Sequence, residues 1–161
     1  MNRFCSFFVL GCFVAGLSVG AGAMASAADD RLAIKGYDPV AYFTESRPTV
    51  GDPRFEFEWD GSIYRFASLR HLEQFKVEPE RYEPQYGNLC TAALSRGKRV
   101  ISDPNNWIIL DGRLHLFGKS IGPELMRKDS AEMKAKADGN WPKRAALPWE
   151  PGTPQPAAGT Q

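Results

Sequence analysis

The stretch Arg54-Phe55-Glu56-Phe57-Glu58-Trp59, Asp60-Gly61, Ser62-Ile63-Tyr64-Arg65-Phe66 decides the fold. Aromatic and charged residues alternate on either side of an Asp-Gly pair, which is the sequence preference of a two-residue primed turn between antiparallel strands. Such a turn sets Trp59 against Ser62, Phe57 against Tyr64 and Phe55 against Phe66, so that five aromatics share one face. Glu56 and Arg65 then meet on the other. A face of five aromatics has to be covered, so the hairpin predicts elements packed on it. A second Asp-Gly pair repeats the pattern in Trp107-Ile108-Ile109-Leu110, Asp111-Gly112, Arg113-Leu114-His115-Leu116-Phe117. Trp107/Leu116 and Ile109/Leu114 share one face there and Ile108/His115 the other, which predicts an exposed or half-covered His115.

The covering elements are legible between and after the hairpins. Ser68 is placed to cap a helix through Lys76 with Leu69, Leu72 and Phe75 at helical spacing, and Pro79 opens a turn through Tyr82. Asn88 is placed to cap a helix to about Arg96, stopped by Gly97. A last helical region runs from near Pro123 to Gly139 with a break around Asp129-Ser130. The expected fold is a small single α+β domain, two short antiparallel β-hairpins packed against several helices.

At 161 residues, with 43% hydrophobic and 24% charged, the chain suffices for one domain with a core. Residues 1–27 read as a signal peptide: Arg3 supplies a positive charge, Phe4 to Val19 is apolar apart from glycines and serines, and Ala25-Ser26-Ala27 suits cleavage after Ala27 or Ala28. Removal of that leader predicts a periplasmic or otherwise exported protein with no membrane span. The remainder carries 19 basic and 19 acidic residues, a balance that excludes a general electrostatic footprint for nucleic acid. Cys5 and Cys12 leave with the leader, so Cys90 stands alone and no internal disulfide forms. From Pro142 onward five prolines and small residues read as a disordered tail over residues 143–161.

The run Gly36-Tyr37-Asp38-Pro39-Val40-Ala41-Tyr42-Phe43, with Tyr64-Arg65-Phe66-Ala67-Ser68, Pro79-Glu80-Arg81-Tyr82, Pro84-Gln85-Tyr86-Gly87 and Cys90, resembles the YHS-domain family in its longer, exported bacterial form. Asp103-Pro104, Trp107 and Ala137-Asp138-Gly139-Asn140-Trp141-Pro142 are similar too, so the resemblance covers a YHS-like domain over residues 28–142. It implies a non-catalytic binding protein, with a metal ion such as copper or zinc, or a small ligand, as its cargo. In the short family members cysteines carry the metal. The positions of this chain that match them read Ala41, Ala67 and His71, and alanine offers no lone pair, so the family's thiolate site is not available here.

Three residues remain as candidate metal ligands: Cys90, His71 and His115. Cys90 falls in the first turn of the expected helix, where the helix dipole favours thiolate, the metal-binding form; its alternative role is that of a small buried hydrophobe. His71 stands at a family ligand position, and a neutral imidazole binds copper or zinc; a lone flanking histidine is otherwise a partly solvated surface residue. Together the three would make a mixed nitrogen and sulfur site. Two rival functions stay open: an interaction module for a periplasmic protein partner, and a cysteine-dependent redox accessory or enzyme. No Gly-x-Ser-x-Gly elbow, His-Glu-x-x-His, phosphate-binding glycine loop or Cys-x-x-Cys occurs in the sequence, so no catalytic role is assigned.

Overall fold

The computed structural model describes residues 31–151, which form an α+β domain. The leader with its cleavage site, and tail residues 152–161, lie outside the described residues. Strand β1 (Asp52–Trp59) pairs antiparallel with β2 (Ser62–Phe66), and β3 (Asp103–Leu110) with β4 (Arg113–Phe117). Asp60 and Gly61 have φ of 45° and 73°, and Asp111 and Gly112 have φ of 51° and 74°. Both turns therefore need left-handed backbone at two successive residues, which Asp-Gly accommodates at low steric cost.

Hairpin β1–β2 keeps the expected pairs Trp59/Ser62, Phe57/Tyr64 and Glu56/Arg65. It departs at its open end, where Asp52 rather than Phe55 lies opposite Phe66. The irregularity falls around Pro53, which has no N–H to give to a ladder. Phe55, Phe57 and Trp59 still pack with buried Tyr64 and Phe66 against Phe75 and its neighbours. Hairpin β3–β4 has the expected register, Trp107/Leu116, Ile108/His115 and Ile109/Leu114.

Among the described residues six short helices surround the hairpins: α1 (Pro39–Thr44), α2 (Leu69–Val77), α3 (Pro79–Tyr82), α4 (Thr91–Ser95), α5 (Gly122–Lys128) and α6 (Ser130–Asn140). Three of them begin at side-chain caps whose oxygen satisfies an otherwise orphaned N–H: Ser68 Oγ accepts from His71 N at 3.2 Å, Asp38 Oδ1 from Val40 N at 2.8 Å, and Asp129 Oδ1 from Glu132 N at 3.4 Å. The expected break between α5 and α6 is present at Asp129, whose φ and ψ are −148° and 65°.

Strand β4 divides the core. Leu114 and Leu116 join one cluster with Tyr42, Phe66 and Phe75, while Phe117 on its other face joins Cys90, Ile108 and Met126. A third cluster of Tyr86, Leu94 and Ala137 seats α6 against α4. Both faces of the second hairpin are thus covered. This corrects the expectation for His115, which is 1% exposed.

Two further expectations are corrected. The chain does not turn disordered at residue 143: Trp141–Ala146 is a 3₁₀ helix, and Arg99 then exchanges backbone hydrogen bonds with Pro148 and Glu150 while its guanidinium stacks on Trp149. Asn88 does not cap α4 either. Its side-chain oxygen accepts from Ile34 N at 2.6 Å and its amide donates to Leu32 O at 3.1 Å, and Cys90 takes the N-cap position of a five-residue helix. Those bonds hold Ile34, a β-branched residue at φ 50°, in backbone that would otherwise be strained. Among the described residues no helix is long and apolar enough to cross a membrane.

Candidate functional site

His71 is the first of the three candidate ligands, and it is 2% exposed rather than solvated. Its helix α2 packs beside α1, and its Nδ1 donates to Asp38 Oδ2 at 2.6 Å. Asp38, fully buried, also accepts from the backbone of Val40, Ala41 and Ala67, so four N–H donors satisfy one carboxylate. A buried charge is tolerable on such terms. The pair thereby ties the start of α1 to the β2–α2 junction. Nε2 of His71 lies 3.5 Å from Thr44 Oγ1 and 3.8 Å from Glu45 Oε1.

Cys90 is 7% exposed and packs among Ala93, Val100, Phe117 and Met126. Its thiol has no hydrogen bond to a histidine among the described residues. A hollow of about 80 Å³ lies beside it. His115 sits across β4 from the main core, its ring 5.8 Å from that of Tyr86, and its Nδ1 is buried without a hydrogen-bond partner among the described residues. Burial first, then the positive charges of Lys134 and Arg113, push its pKa down to about 4, so the imidazole stays neutral.

The three candidates are not brought together. Among the described residues no three histidine, cysteine, aspartate or glutamate side chains stand where one metal ion would bind them all. At the positions where the sequence resemblance puts metal ligands, Ala41 and Ala67 supply no donor, and His71 offers a single nitrogen whose partner nitrogen is already committed to Asp38. That donor set does not fit the closed nitrogen and sulfur cage that copper(I) or structural zinc requires.

A site that the sequence did not disclose lies between the turn of the first hairpin and the segment leading from α3 to α4. It is a cleft of about 380 Å³, within the size range of small-molecule sites. Asp60, Tyr64, Glu83, Tyr86 and Trp141 line it. Tyr64 is 4% exposed as a residue, and its hydroxyl, which has no hydrogen-bond partner among the described residues, is accessible from the cleft. Burial, reinforced by the carboxylates of Glu83 and Asp60, raises its pKa above the ordinary phenol value and keeps it a donor. Burial also raises the carboxyl of Glu83, against the stabilising hydrogen bond that Trp59 Nε1 donates to its Oε2 at 3.2 Å. Tyr86 gives its own hydroxyl to Asp138 at 2.9 Å and presents its ring to Trp141. Perturbed titratable groups converging with aromatic rings in a hollow have the character of a binding site.

A wider groove of about 580 Å³ between α4 and α6 lacks that character. Its Lys136 and Glu132 pair with each other, and the amide of Asn140 is spent on Leu94 O. The cleft residues escaped sequence reasoning because Tyr64 counts there as one of five core aromatics and Glu83 belongs to no motif. Only the Pro84-Gln85-Tyr86-Gly87 segment of the resemblance touches the place. Comparison with family models, curated proteins and solved structures found no match to this chain.

Proposed function

We propose that the chain is an exported, non-catalytic, YHS-like binding protein that holds a small polar solute in the cleft beside Tyr64. The single observation behind this function is the Tyr64 hydroxyl: on an otherwise buried residue it reaches the cleft, with no hydrogen-bond partner among the described residues, beside the half-buried carboxyl of Glu83. A ligand acceptor there would take the place of water on a donor that the protein leaves unpaired. Export is supported by the leader-like residues 1–27, and the family by the dispersed matches from Gly36 to Pro142. The small-ligand half of the expected function gains from this cleft. The metal half has no assembled donor set behind it.

The test is nuclear magnetic resonance titration of the purified protein with separate sets of amines, amino acids, carboxylates and sugars, alongside copper(II) and zinc. We expect one solute class to shift the resonances of Tyr64, Tyr86 and Trp141. A Tyr64→Phe variant, which keeps the buried ring, should bind that class more weakly by roughly threefold to tenfold, the worth of one hydrogen bond. No shift at the cleft with any class, or equal affinity in the variant, would overturn the proposal.

One observation favours the interaction module as a second function. Ile121 and Leu125 are 48% and 39% exposed and line the small hollow beside Cys90, an apolar surface for a periplasmic protein partner.

A further inference from the structure

The lining of the cleft carries both signs of charge, Asp60 and Glu83 on one side of the balance and Arg144 on the other. Asp60 and Glu83 form its boundary with an adjoining hollow of about 500 Å³, which they share with Trp59, Glu80 and Arg113. Trp141 and Arg144 line the cleft but not that hollow, so they stand away from the shared acidic boundary. The Asp60 carboxylate, held out by left-handed backbone at the hairpin turn, has no ion-pair or hydrogen-bond partner among the described residues. Glu83 has the one N–H of Trp59. Arg113, whose charge acts on Glu83, spends its Nε on Gln85 Oε1 at 2.6 Å and an Nη on the carbonyl of Glu80, so it offsets the acidic charge without capping it.

Arg144 is the cation among the cleft's lining residues. The guanidinium of Arg144 lies 3.9 Å over the Trp141 ring, and its Nη1 donates to Trp141 O at 3.0 Å. One of its five donors is used there, and the ring fixes the plane of those that remain. Tyr64, Tyr86 and Trp141 line the same cleft and supply its hydroxyl and aromatic surface.

From this arrangement we infer that the cleft takes a zwitterionic amino compound, an amino acid or short peptide with free termini, its ammonium at Asp60 and Glu83 and its carboxylate at Arg144. This rests on the cleft being the binding site. The ammonium replaces water beside two carboxylates, one of them half-buried, where a positive charge gains most. The carboxylate accepts a forked pair of hydrogen bonds from a guanidinium whose orientation is already set. Tyr64 donates to a backbone or carboxyl oxygen between them. A single amino acid carries both charges on one carbon, whereas a dipeptide in extended form separates them by roughly 7 Å, so chain length distinguishes the two sources.

The experiment is calorimetric titration of the whole protein with glycine, alanylalanine, N-acetyl-alanylalanine and alanylalanine amide. Binding by glycine or alanylalanine, weakened about tenfold or more when either terminus is blocked, is the expected result, one charge-assisted hydrogen bond being lost in each case. Glu83→Gln should erase the penalty for blocking the amine, and Arg144→Gln the penalty for blocking the carboxylate. Both side chains are at least partly exposed, and the blocked compounds report on wild type whether or not a variant folds. Tighter binding of alanylalanine than of glycine identifies the peptide as source, and the reverse the amino acid. Equal affinity for free and blocked compounds would overturn the inference. So would cleft resonances that answer only to another solute class, which leaves the cleft itself as the site. Silence of the cleft toward every class would overturn both.

Discussion

The two hairpins share a turn chemistry and differ in what lies on their outer faces. In β1–β2 the outer face is solvated: Glu56 pairs with Arg65 at 2.7 Å and Glu58 with Arg31 at 3.0 Å, all partly exposed. In β3–β4 the outer face is a second interior, where Ile108, His115 and Phe117 are buried beneath α4, α5 and the Tyr86 segment. Strict alternation in the first sequence and near-continuous apolar residues in the second correspond to one covered face and two. A histidine set in the second kind of run belongs inside, whatever its alternation suggests.

The largest expected effect is at the outer face of the second hairpin. Phe117→Ala removes a fully buried ring shared with Cys90 and Met126 and should cost about 3–5 kcal/mol in denaturant unfolding. Phe57→Ala, at a half-buried inner position of the first hairpin, should cost clearly less. Equal losses would break the comparison, because the outer side of β4 would then be no better packed than a partly solvated edge.

His115 sharpens the same comparison through pH. Its folded-state pKa is lowered to about 4 from 6.5, by burial first and by Lys134 and Arg113 next, with Asp111 and Asp138 opposing. The unfolded chain therefore takes up a proton below about pH 6.5 that the folded chain refuses until about pH 4. Stability should fall as pH falls through that window, by at most about 1.4 kcal/mol per pH unit from this residue, and the loss should level off below it. A His115→Leu variant, which suits an apolar surround, should show a flatter profile from pH 6.5 to 4. A variant profile as steep as wild type would assign the acid sensitivity to other groups.

How much of this was legible depends on how local each feature is. The Asp-Gly turns, the register next to them, the Ser68 cap and the break at Asp129 are set by a few adjacent residues, and they read correctly. Features set by distant partners did not. Asn88 has cap chemistry, yet Ile34, 54 positions away, claims its side chain. His71 reads as a flank residue because its carboxylate partner lies 33 positions earlier, in a segment whose own signal is a helix start. Proline-rich residues 143–151 read as a tail because nothing local shows that Arg99 will pair with the backbone at Pro148 and Glu150. The cleft is the extreme case, since it gathers a hairpin turn, a loop and a 3₁₀ helix whose sequences share no motif.

The smallest effect is expected on the solvated face of the first hairpin, and there it separates charge from packing. Glu56→Ala breaks the ion pair with Arg65 but strands nothing, because both side chains already reach water; the loss should stay below about 1 kcal/mol and shrink further in high salt. Arg65→Ala deletes the same charge pair together with an aliphatic stem. That stem passes close over Gly36, where an added Cβ would sit 3.5 Å from Arg65 Cδ, and the strand beneath it approaches Gly51 so closely that a Cβ there would lie 2.6 Å from the Arg65 carbonyl carbon. Long cationic side chains contribute through such stems as well as through their heads. Arg65→Ala should accordingly destabilise more than Glu56→Ala, with the difference insensitive to salt. Equal and salt-sensitive losses would mean that the outer face of β1–β2 is held by charge alone, and that the stem over Gly36 is incidental.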